Sequence, residues 1–395
     1  MNWIRSMISK KLSVFFISFG LISIIVLSLN FSSLPWIYIF LSLSAYVYVI
    51  FKNINSVKAK IFLINLCVFF ALMAPIEFFA YHLSKQFSQI GKFVEIKDIS
   101  GDRPFVVRDN NLGYIPNPST VFEHVEYYND GTQNSVYYSI NENSLRKSIP
   151  EPIISNKYIN SVLFFGGSYT FGEMVEDTET LPWQFAELEG YSRNVYNFGF
   201  EGWGPHQMLA SLQEGRVRKI ILEEPNLIVF QGIIDHINRV TNDHGWIGNG
   251  PRYVIKDGNL VRKGNFNKGN FNNRLLKQFK KSSIFKLALN SKYLQPSFDE
   301  KAELFAEIIK VSRDILLDEY ELAKFLVVMW PDPNHSDAEN KLILDLLTDR
   351  GIEVVEVTNI LTDIQNNPKK YMVPNNGHPN SLAFNKIASF LLQQE

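Results

Sequence analysis

The segment Phe164-Phe-Gly-Gly-Ser-Tyr-Thr-Phe-Gly172 carries an apolar strand into a pair of glycines and then a serine. The apolar run begins at Ser161, and the glycines after Phe165 permit a tight turn and close approach by a substrate. Ser168 therefore lies at the carboxyl end of a predicted strand, the position where ligands bind in open α/β sheets. The pattern makes Ser168 a candidate nucleophile.

From about residue 160 onward, short continuous apolar runs alternate with segments of helical spacing. This alternation favours an α/β fold whose parallel sheet is covered on both faces. The predicted strands are 161–165, 194–198, 226–231, 325–330 and 352–357. The predicted helices are 178–189, 205–217, 299–320, 336–349 and 381–393.

Two further stretches carry residue types that suit catalysis. Asn197-Phe-Gly-Phe-Glu-Gly202 follows the second predicted strand and is again rich in glycine. Asn376-Gly-His-Pro-Asn380 stands just before the last predicted helix, with His378 at the junction of loop and helix. A serine and a histidine at one edge of a sheet fit nucleophilic catalysis assisted by a general base.

In this order, the motifs Gly-Gly-Ser-x-Thr-x-Gly, Asn-x-Gly-x-x-Gly and Gly-His-Pro-Asn resemble those of the SGNH/GDSL hydrolase family, over about residues 160–395. The resemblance implies a flavodoxin-like three-layer sandwich with a mainly parallel five-stranded sheet. It implies Ser168 as the nucleophile and His378 as the general base. It also implies an oxyanion hole made by the backbone N–H groups of Ser168 and Gly202, with Gly199 as the alternative second donor.

The sequence departs from the family pattern in the turn and in the third block. Gly167 replaces the aspartate of Gly-Asp-Ser. The block Gly-x-Asn-Asp reads Gly232-Ile-Ile-Asp-His236, so Ile234 stands where an asparagine would donate to the oxyanion. The neighbours that can take over this role are Asp235, His236 and Asn238. If the oxyanion hole lacks one donor, Ile234→Asn is expected to raise turnover.

The acid that orients the histidine is also replaced. The family places an aspartate two or three residues before it, where this chain has Asn376 and Asn375. An asparagine can orient an imidazole but stabilises the imidazolium less than a carboxylate does. The serine and histidine then act as a dyad, or Asp235 or Asp332 supplies the carboxylate, or the site is weak or inactive. The candidate catalytic residues are Ser168, Gly202, Asp235 and His378, and the candidate substrate-binding residues are Gly167, Gly199, His236 and Asn376.

The first 82 residues hold most of the apolar excess. No charged residue occurs from Leu12 to Phe51, a run about twice as long as one membrane-spanning helix. A polar turn ending at Pro35 divides this run, and a third apolar run begins at Ile61. We predict three transmembrane helices, at about 12–29, 36–51 and 59–82. The alternative, a cleaved signal peptide, fits less well because no small-residue cleavage site follows the first run.

Basic residues predict the orientation of these helices. They are Arg5, Lys10 and Lys11 before the first span and Lys52, Lys58 and Lys60 between the second and the third. The positive-inside rule then places the chain after about residue 82 outside the cytoplasm, in the periplasm if the source is Gram-negative.

Residues 83–158 predict a β-rich connector. An insertion at about 240–297 contains a hairpin at Asp257-Gly258 and a basic segment, 275–289, that is either a solvated helix face or a contact with a membrane surface or an anionic substrate.

Composition excludes several classes of protein. The chain has 39 basic and 40 acidic residues among 395, so no overall basic field favours nucleic acid. The single cysteine excludes an intrachain disulfide framework, and no metal-ligand spacing or phosphate-binding glycine loop occurs. We therefore interpret the chain as a membrane-anchored, extracytoplasmic serine esterase that acts on acyl esters of envelope glycans or lipids, without a cofactor. The alternatives are an O-acyltransferase acting on a polysaccharide and a non-catalytic glycan- or lipid-binding protein.

Overall fold

The computed structural model describes residues 35–88, 93–150, 160–221, 223–243, 246–267, 282, 296–332 and 335–394. The chain divides into two compact units. The first comprises Met1–Gly91 and Gly269–Gln295, and the second comprises Lys92–Lys268 and Pro296–Glu395. The insertion predicted at about 240–297 is thus divided between the units. Its basic segment at 275–289 lies outside the described residues, apart from Ser282.

Two helices form most of the described part of the first unit, α1 (Pro35–Asn53) and α2 (Val57–Ser88). They contact each other near their middles, where the hydroxyl of Ser44 donates to the carbonyl oxygen of Cys67 at 3.0 Å. One segment of the described chain, Val57–His82, is long and apolar enough to cross a membrane by length and composition. It corresponds to the third predicted span.

The other two predicted spans have a different outcome. The span predicted at 36–51 falls in α1, whose apolar part is Ile39–Lys52. This is shorter than the roughly 20 residues that a spanning helix needs, because Lys52 and Asn53 end the apolar run. The span predicted at 12–29 lies outside the described residues. The described chain therefore holds one candidate span where two were predicted.

Antiparallel strands form the beginning of the second unit. They are β1 (Phe93–Asp98), β2 (Val106–Asp109), β3 (Gly113–Pro116), β4 (Thr120–Tyr127) and β5 (Gln133–Ile140). Strand β4 lies between β1 and β5 in one sheet, and β2 pairs with β3 in a separate hairpin. We call residues 93–150 the β-module.

The rest of the second unit is built on a parallel sheet. The remaining strands are β6 (Ser161–Gly166), β7 (Asn194–Gly199), β8 (Pro225–Gly232), β9 (Pro251–Lys256), β10 (Asn259–Asn265), β11 (Lys324–Met329) and β12 (Glu353–Glu356). Five of them pair in the order β7-β6-β8-β11-β12, and every pairing is parallel. Counted along the chain this is the order 2-1-3-4-5 of flavodoxin-like sheets. The predicted α/β fold with a five-stranded parallel sheet is confirmed.

Alternating side chains of the central strand β6 enter two separate cores. Val162 and Phe164 belong to one core, and Leu163 and Phe165 belong to the other. The helices are α3 (Ser168–Phe171), α4 (Leu181–Leu188), α5 (Pro205–Gln213), α6 (Arg216–Ile220), α7 (Asp235–Arg239), α8 (Phe298–Glu319), α9 (Asp337–Thr348), α10 (Val357–Ile360) and α11 (Ser381–Leu391). Helices α4 and α11 cover the first core, and α5, α8 and α9 cover the second. Both faces of the sheet are covered, which explains why its strands are continuously apolar.

Local differences from the sequence prediction have identifiable causes. The helix predicted at 205–217 is two helices, α5 and α6, because Gly215 between them has a left-handed backbone with φ of 63°. The predicted hairpin is present as β9 and β10. Its turn residues Asp257 and Gly258 have φ of 51° and 77°, and positive φ at both positions is what a two-residue type I′ turn requires.

A buried arginine joins the β-module to the segment that follows Ser168. The guanidinium of Arg146, 1% exposed, donates from Nη1 to the carbonyl oxygens of Phe171 and Gly172 at 2.9 and 2.5 Å. Its Nη2 donates to the carbonyls of Tyr137 and Val175, and its Nε donates to Asp177 at 2.8 Å. All five donors of the guanidinium are satisfied, and the partners come from β5 and from the end of α3.

We predict that Arg146→Met destabilises the second unit by about 3–5 kcal/mol, because it leaves Asp177 and several carbonyl oxygens without their donor. The measurement is denaturant unfolding of the purified full-length chain, followed by tryptophan fluorescence. Arg218→Met is the matched control, since the Arg218 side chain is 77% exposed, and it should change stability by less than about 0.5 kcal/mol. Equal losses in the two variants would contradict the prediction.

Candidate active site

The turn that presents Ser168 leaves no room for side chains. Strand β6 ends at Gly166, where φ is 155° and an added Cβ would lie 2.2 Å from the Oγ1 atom of Thr170. A Cβ on Gly167 would lie 2.7 Å from an Nη atom of Arg239 and 2.8 Å from Nε2 of His236. An aspartate cannot occupy this position, which explains why this chain has Gly-Gly-Ser in place of Gly-Asp-Ser.

The structure brings Ser168 and His378 together, although they are 210 residues apart. The Oγ atom of Ser168 lies 2.8 Å from Nε2 of His378. The histidine lies on a short loop before α11, which is closed by a hydrogen bond from the amide of Val373 to the carbonyl of His378 at 2.8 Å. At the end of this loop, Asn380 caps α11 by accepting a hydrogen bond from the amide of Ala383. The helix therefore begins at Ser381, three residues after the histidine, and anchors the end of its loop.

Asn376 occupies the position expected for the triad acid. Its Oδ1 lies 2.5 Å from Nδ1 of His378 and also accepts a hydrogen bond from the backbone amide of His378 at 3.0 Å. The Nδ2 group of Asn376 donates to both carboxylate oxygens of Glu126, at 2.9 Å each. Glu126 lies on β4 of the β-module and is fully buried. The imidazole is thus held by an asparagine, with a carboxylate behind it.

The two aspartates proposed from the sequence as the third member bind other partners. Asp235 accepts a hydrogen bond from Nε of Arg239 at 2.8 Å, and Arg239 in turn donates to the carbonyl of Trp203 at 2.7 Å. Asp332 lies 3.0 Å from Nδ1 of His335. Asp235 thus orients the arginine that lies against Gly167, while the Nδ1 atom of the catalytic candidate His378 is bound to an asparagine.

Of the two glycines considered as oxyanion donors, Gly202 has the suitable setting. The amide of Gly199 donates to Oδ1 of Asn197 at 3.0 Å, inside the end of β7. Gly202 has φ of 72° in a turn supported by the β-module, where the hydroxyl of Tyr114 donates to the carbonyl of Glu201 at 2.9 Å. A Cβ on Gly202 would lie 2.5 Å from the oxygen of Tyr114, so only glycine fits there.

In the segment Gly232–His236, the His236 side chain lies beside the turn at Gly167, while Ile234 faces the interior. Ile234 is 1% exposed and belongs to the core beneath the sheet. Nδ1 of His236 accepts a hydrogen bond from the amide of Ile233 at 3.4 Å, so the ring carries its proton on Nε2. Burial keeps the pKa of His236 well below its usual value, so the ring is neutral near pH 7. Its Nε2 atom has no hydrogen-bond partner among the described residues.

Two residues near the histidine were missed in the sequence. Glu173 lies one turn after Ser168, and its carboxylate is 3.3 Å from Nε2 of His378. The hydroxyl of Tyr169 donates to the carbonyl of Gly377 at 3.2 Å. This hydrogen bond connects α3, the helix that begins with Ser168, to the loop that carries His378. Burial raises the pKa of Tyr169 to about 12, so this hydroxyl stays a donor at neutral pH. Within the described chain no group of three His, Cys, Asp or Glu side chains could hold a metal ion.

Comparison with solved structures finds esterases. A two-domain esterase active on acetylated mannans is 12% identical over 60% of this chain, with a TM-score of 0.33. This chain spans about half of that protein, 48% of its length. AlinE4, an SGNH-hydrolase family esterase, is 13% identical over 61% of this chain and 96% of its own, with a TM-score of 0.31.

An acetyl xylan esterase from the rumen bacterium Butyrivibrio proteoclasticus is 10% identical and covers 76% of this chain and 97% of its own, with a TM-score of 0.35. No family model matches the sequence, and no curated protein matches it either. At such low identity the chemistry of this chain has to be argued from its own side chains.

The position of Ile234 reverses the expectation that an asparagine there would raise turnover. In the core, Ile234→Asn buries an amide without partners, so we predict a loss of about 2–4 kcal/mol in the free energy of unfolding and no gain in activity. Ile234→Val is the control and should cost about 0.5–1.5 kcal/mol. Denaturant unfolding of the full-length variants measures both. A more active Ile234→Asn enzyme of unchanged stability would show that this side chain reaches the oxyanion hole.

Proposed function

We propose that the chain is a membrane-anchored serine esterase of the SGNH type, which cleaves acyl esters of envelope glycans or lipids through an acyl-enzyme at Ser168. The observation that carries the proposal is the hydrogen-bonded pair of Ser168 and His378 at the carboxyl ends of the parallel strands. Since Nδ1 of His378 faces the oxygen of Asn376, the proton resides on Nδ1, and Nε2 faces Ser168 as the acceptor of the serine proton.

In the proposed mechanism, Nε2 of His378 takes the proton of Ser168 as the serine oxygen attacks the ester carbonyl. The imidazolium then gives this proton to the departing alcohol and leaves an acyl group on Ser168. A water molecule, activated by the same nitrogen, releases the acid. The carboxylate of Glu173 lies beside Nε2 and favours the positive charge that the ring carries between these steps.

The proposed oxyanion hole has three donors. The backbone N–H groups of Ser168 and Gly202 are two of them, and we assign the third to Nε2–H of His236, beside Gly167. A neutral imidazole can donate from one ring nitrogen only, and Nδ1 already accepts a hydrogen bond from Ile233. In this assignment His236 takes the place of the asparagine that the third block lacks.

The membrane location of the proposal is supported by α2, whose segment Val57–His82 is apolar over a sufficient length. The distribution of basic residues before residue 61 favours an orientation in which the following chain lies outside the cytoplasm. An esterase held at the outer side of a membrane meets acylated glycans and lipids of the envelope, which is the reason for naming these substrates.

We predict that a fluorophosphonate labels the full-length wild type, because the probe reacts with an activated serine. It should label Ser168→Cys poorly and Ser168→Ala not at all. A membrane-impermeant form of the probe, applied to intact spheroplasts, should label the wild type equally well if the site faces outward. Mass spectrometry locates the adduct. A wild type that stays unlabelled in detergent would support the binding-protein alternative, and labelling only after lysis would contradict the orientation.

For the third donor we predict that His236→Phe lowers kcat for p-nitrophenyl acetate by about 10²–10³-fold, the usual loss for one oxyanion donor. His206→Phe is the matched control, because His206 is also fully buried, and burial lowers its pKa to about 3. It should leave kcat near the wild-type value. Since burial keeps His236 neutral near pH 7, the acidic limb of the pH profile should not move. Unchanged kcat in His236→Phe would overturn the assignment.

A further inference from the structure

We propose that Glu126 is a positioning residue of this site, which acts through Asn376 to fix the proton of His378 on Nδ1. The inference rests on the proposed esterase function and assigns a role in it to the β-module. The contacts form one line from Glu126 through Asn376 and His378 to Ser168, with separations of 2.9, 2.5 and 2.8 Å.

The direction of hydrogen bonding from Glu126 to Ser168 follows from the chemistry of Glu126. A carboxylate can only accept hydrogen bonds, so the NH2 group of Asn376 must face Glu126 and its oxygen must face His378. That oxygen also only accepts, and therefore Nδ1 of the ring must carry the proton. Nε2 is then left unprotonated toward Ser168. A neutral amide in place of Glu126 would not impose this order, because the Asn376 side chain could turn over.

Polar side chains of the β-module face the carboxyl group of Glu126. The hydroxyl of Tyr128 donates to its Oε2 at 2.7 Å, and Nε2 of His124 lies 3.7 Å from its Oε1. Burial, followed by the hydrogen bond to Glu126, raises the pKa of Tyr128 to about 12, so the hydroxyl remains a donor. On the other side of the same imidazole, Oε1 of Glu201 lies 3.9 Å from Nδ1 of His124.

The proposed positioning of His378 also gives a role to the β-module, which carries Glu126. In β4 the side chains of Phe122, His124 and Glu126 lie on the same face of the strand and are all at most 2% exposed. Apolar residues in place of His124 and Glu126 would pack in this strand equally well and would avoid the cost of burying polar or charged groups. The buried carboxylate has its partner in Asn376 of the histidine loop, 250 residues away in the chain.

The test exchanges the chemistry of the two residues in the full-length protein. We compare Glu126→Gln, Asn376→Asp and the double variant, and follow kcat for p-nitrophenyl acetate and the rate of labelling by fluorophosphonate. Glu126→Gln removes the accept-only group. Asn376→Asp places a second carboxylate beside the buried Glu126, which is unfavourable. In the double variant the glutamine amide donates to the new aspartate, and the aspartate accepts from His378, so the order of donors and acceptors is restored.

We expect Glu126→Gln to lower kcat by about 10–100-fold with little change in KM, as for other partners that orient a catalytic imidazole. Asn376→Asp should also be impaired, and the double variant should be more active than either single variant. Glu123→Gln is the matched control, because Glu123 lies on the same strand and is bound by Ser135. It should behave like the wild type.

The pH profile gives a second readout that a purely structural role would not move. Loss of the negative charge of Glu126 makes the imidazolium less favourable, so the acidic limb of Glu126→Gln should shift to lower pH. The other charged or titratable groups facing this line, namely His124, Tyr128, Glu173 and Glu201, are unchanged in the variant.

Three results would overturn the inference. They are wild-type activity in Glu126→Gln, additive losses in the double variant, and an Asn376→Asp variant that is fully active without the second change. In each case a wild type that fluorophosphonate labels at Ser168 keeps the proposed function intact. A wild type that is not labelled overturns the esterase function and this inference together.

Discussion

The guanidinium of Arg146 is the contact on which the arrangement of the site depends. It lies in the segment after β5 and gives its donors to carbonyl oxygens at and after the end of α3, the helix that begins with Ser168. A four-residue helix cannot satisfy its own last carbonyls, and here an arginine from the β-module does so. Arg146 also donates to the carbonyl of Tyr137 in β5, which pairs with β4. Strand β4 carries Glu126, which contacts the histidine loop. One buried cation thus connects the helix that begins with Ser168 to the β-module that carries Glu126.

The sequence was sufficient for the parts of the molecule that follow from local pattern. Continuous apolar runs and helical spacing predict the five strands and their parallel pairing, because each strand is buried on both faces. Ser168 and His378 could be singled out, since both follow glycine-rich or loop motifs at the edge where the strands end. The break of the helix at Gly215 and the shortness of the apolar part of α1 are boundary effects that a pattern of apolar residues does not resolve.

The rest could not be read from the sequence because it depends on contacts between distant segments. In β4, the alternate sets Val121 and Val125 or Phe122 and His124 are about equally apolar, so the pattern does not tell which face is buried. Glu126 therefore reads as a surface residue until Asn376 is seen beside it. Likewise, the spacing places Ile234 at the oxyanion position, whereas the first turn of α7 directs Ile234 into the core and brings His236 to Gly167.

The asparagine at position 376 has a physical explanation. An aspartate at position 376 would stand next to the buried Glu126, and two carboxylates in contact disfavour each other's charged form. An asparagine there accepts from the imidazole on one side and donates to the carboxylate on the other, so Glu126 acts on the histidine through a neutral side chain. The absence of an aspartate beside the histidine is then a consequence of the carboxylate supplied by the β-module. In the proposed mechanism the orientation of His378 passes through the amide of Asn376, and the carboxylate of Glu126 lies one residue further from Ser168.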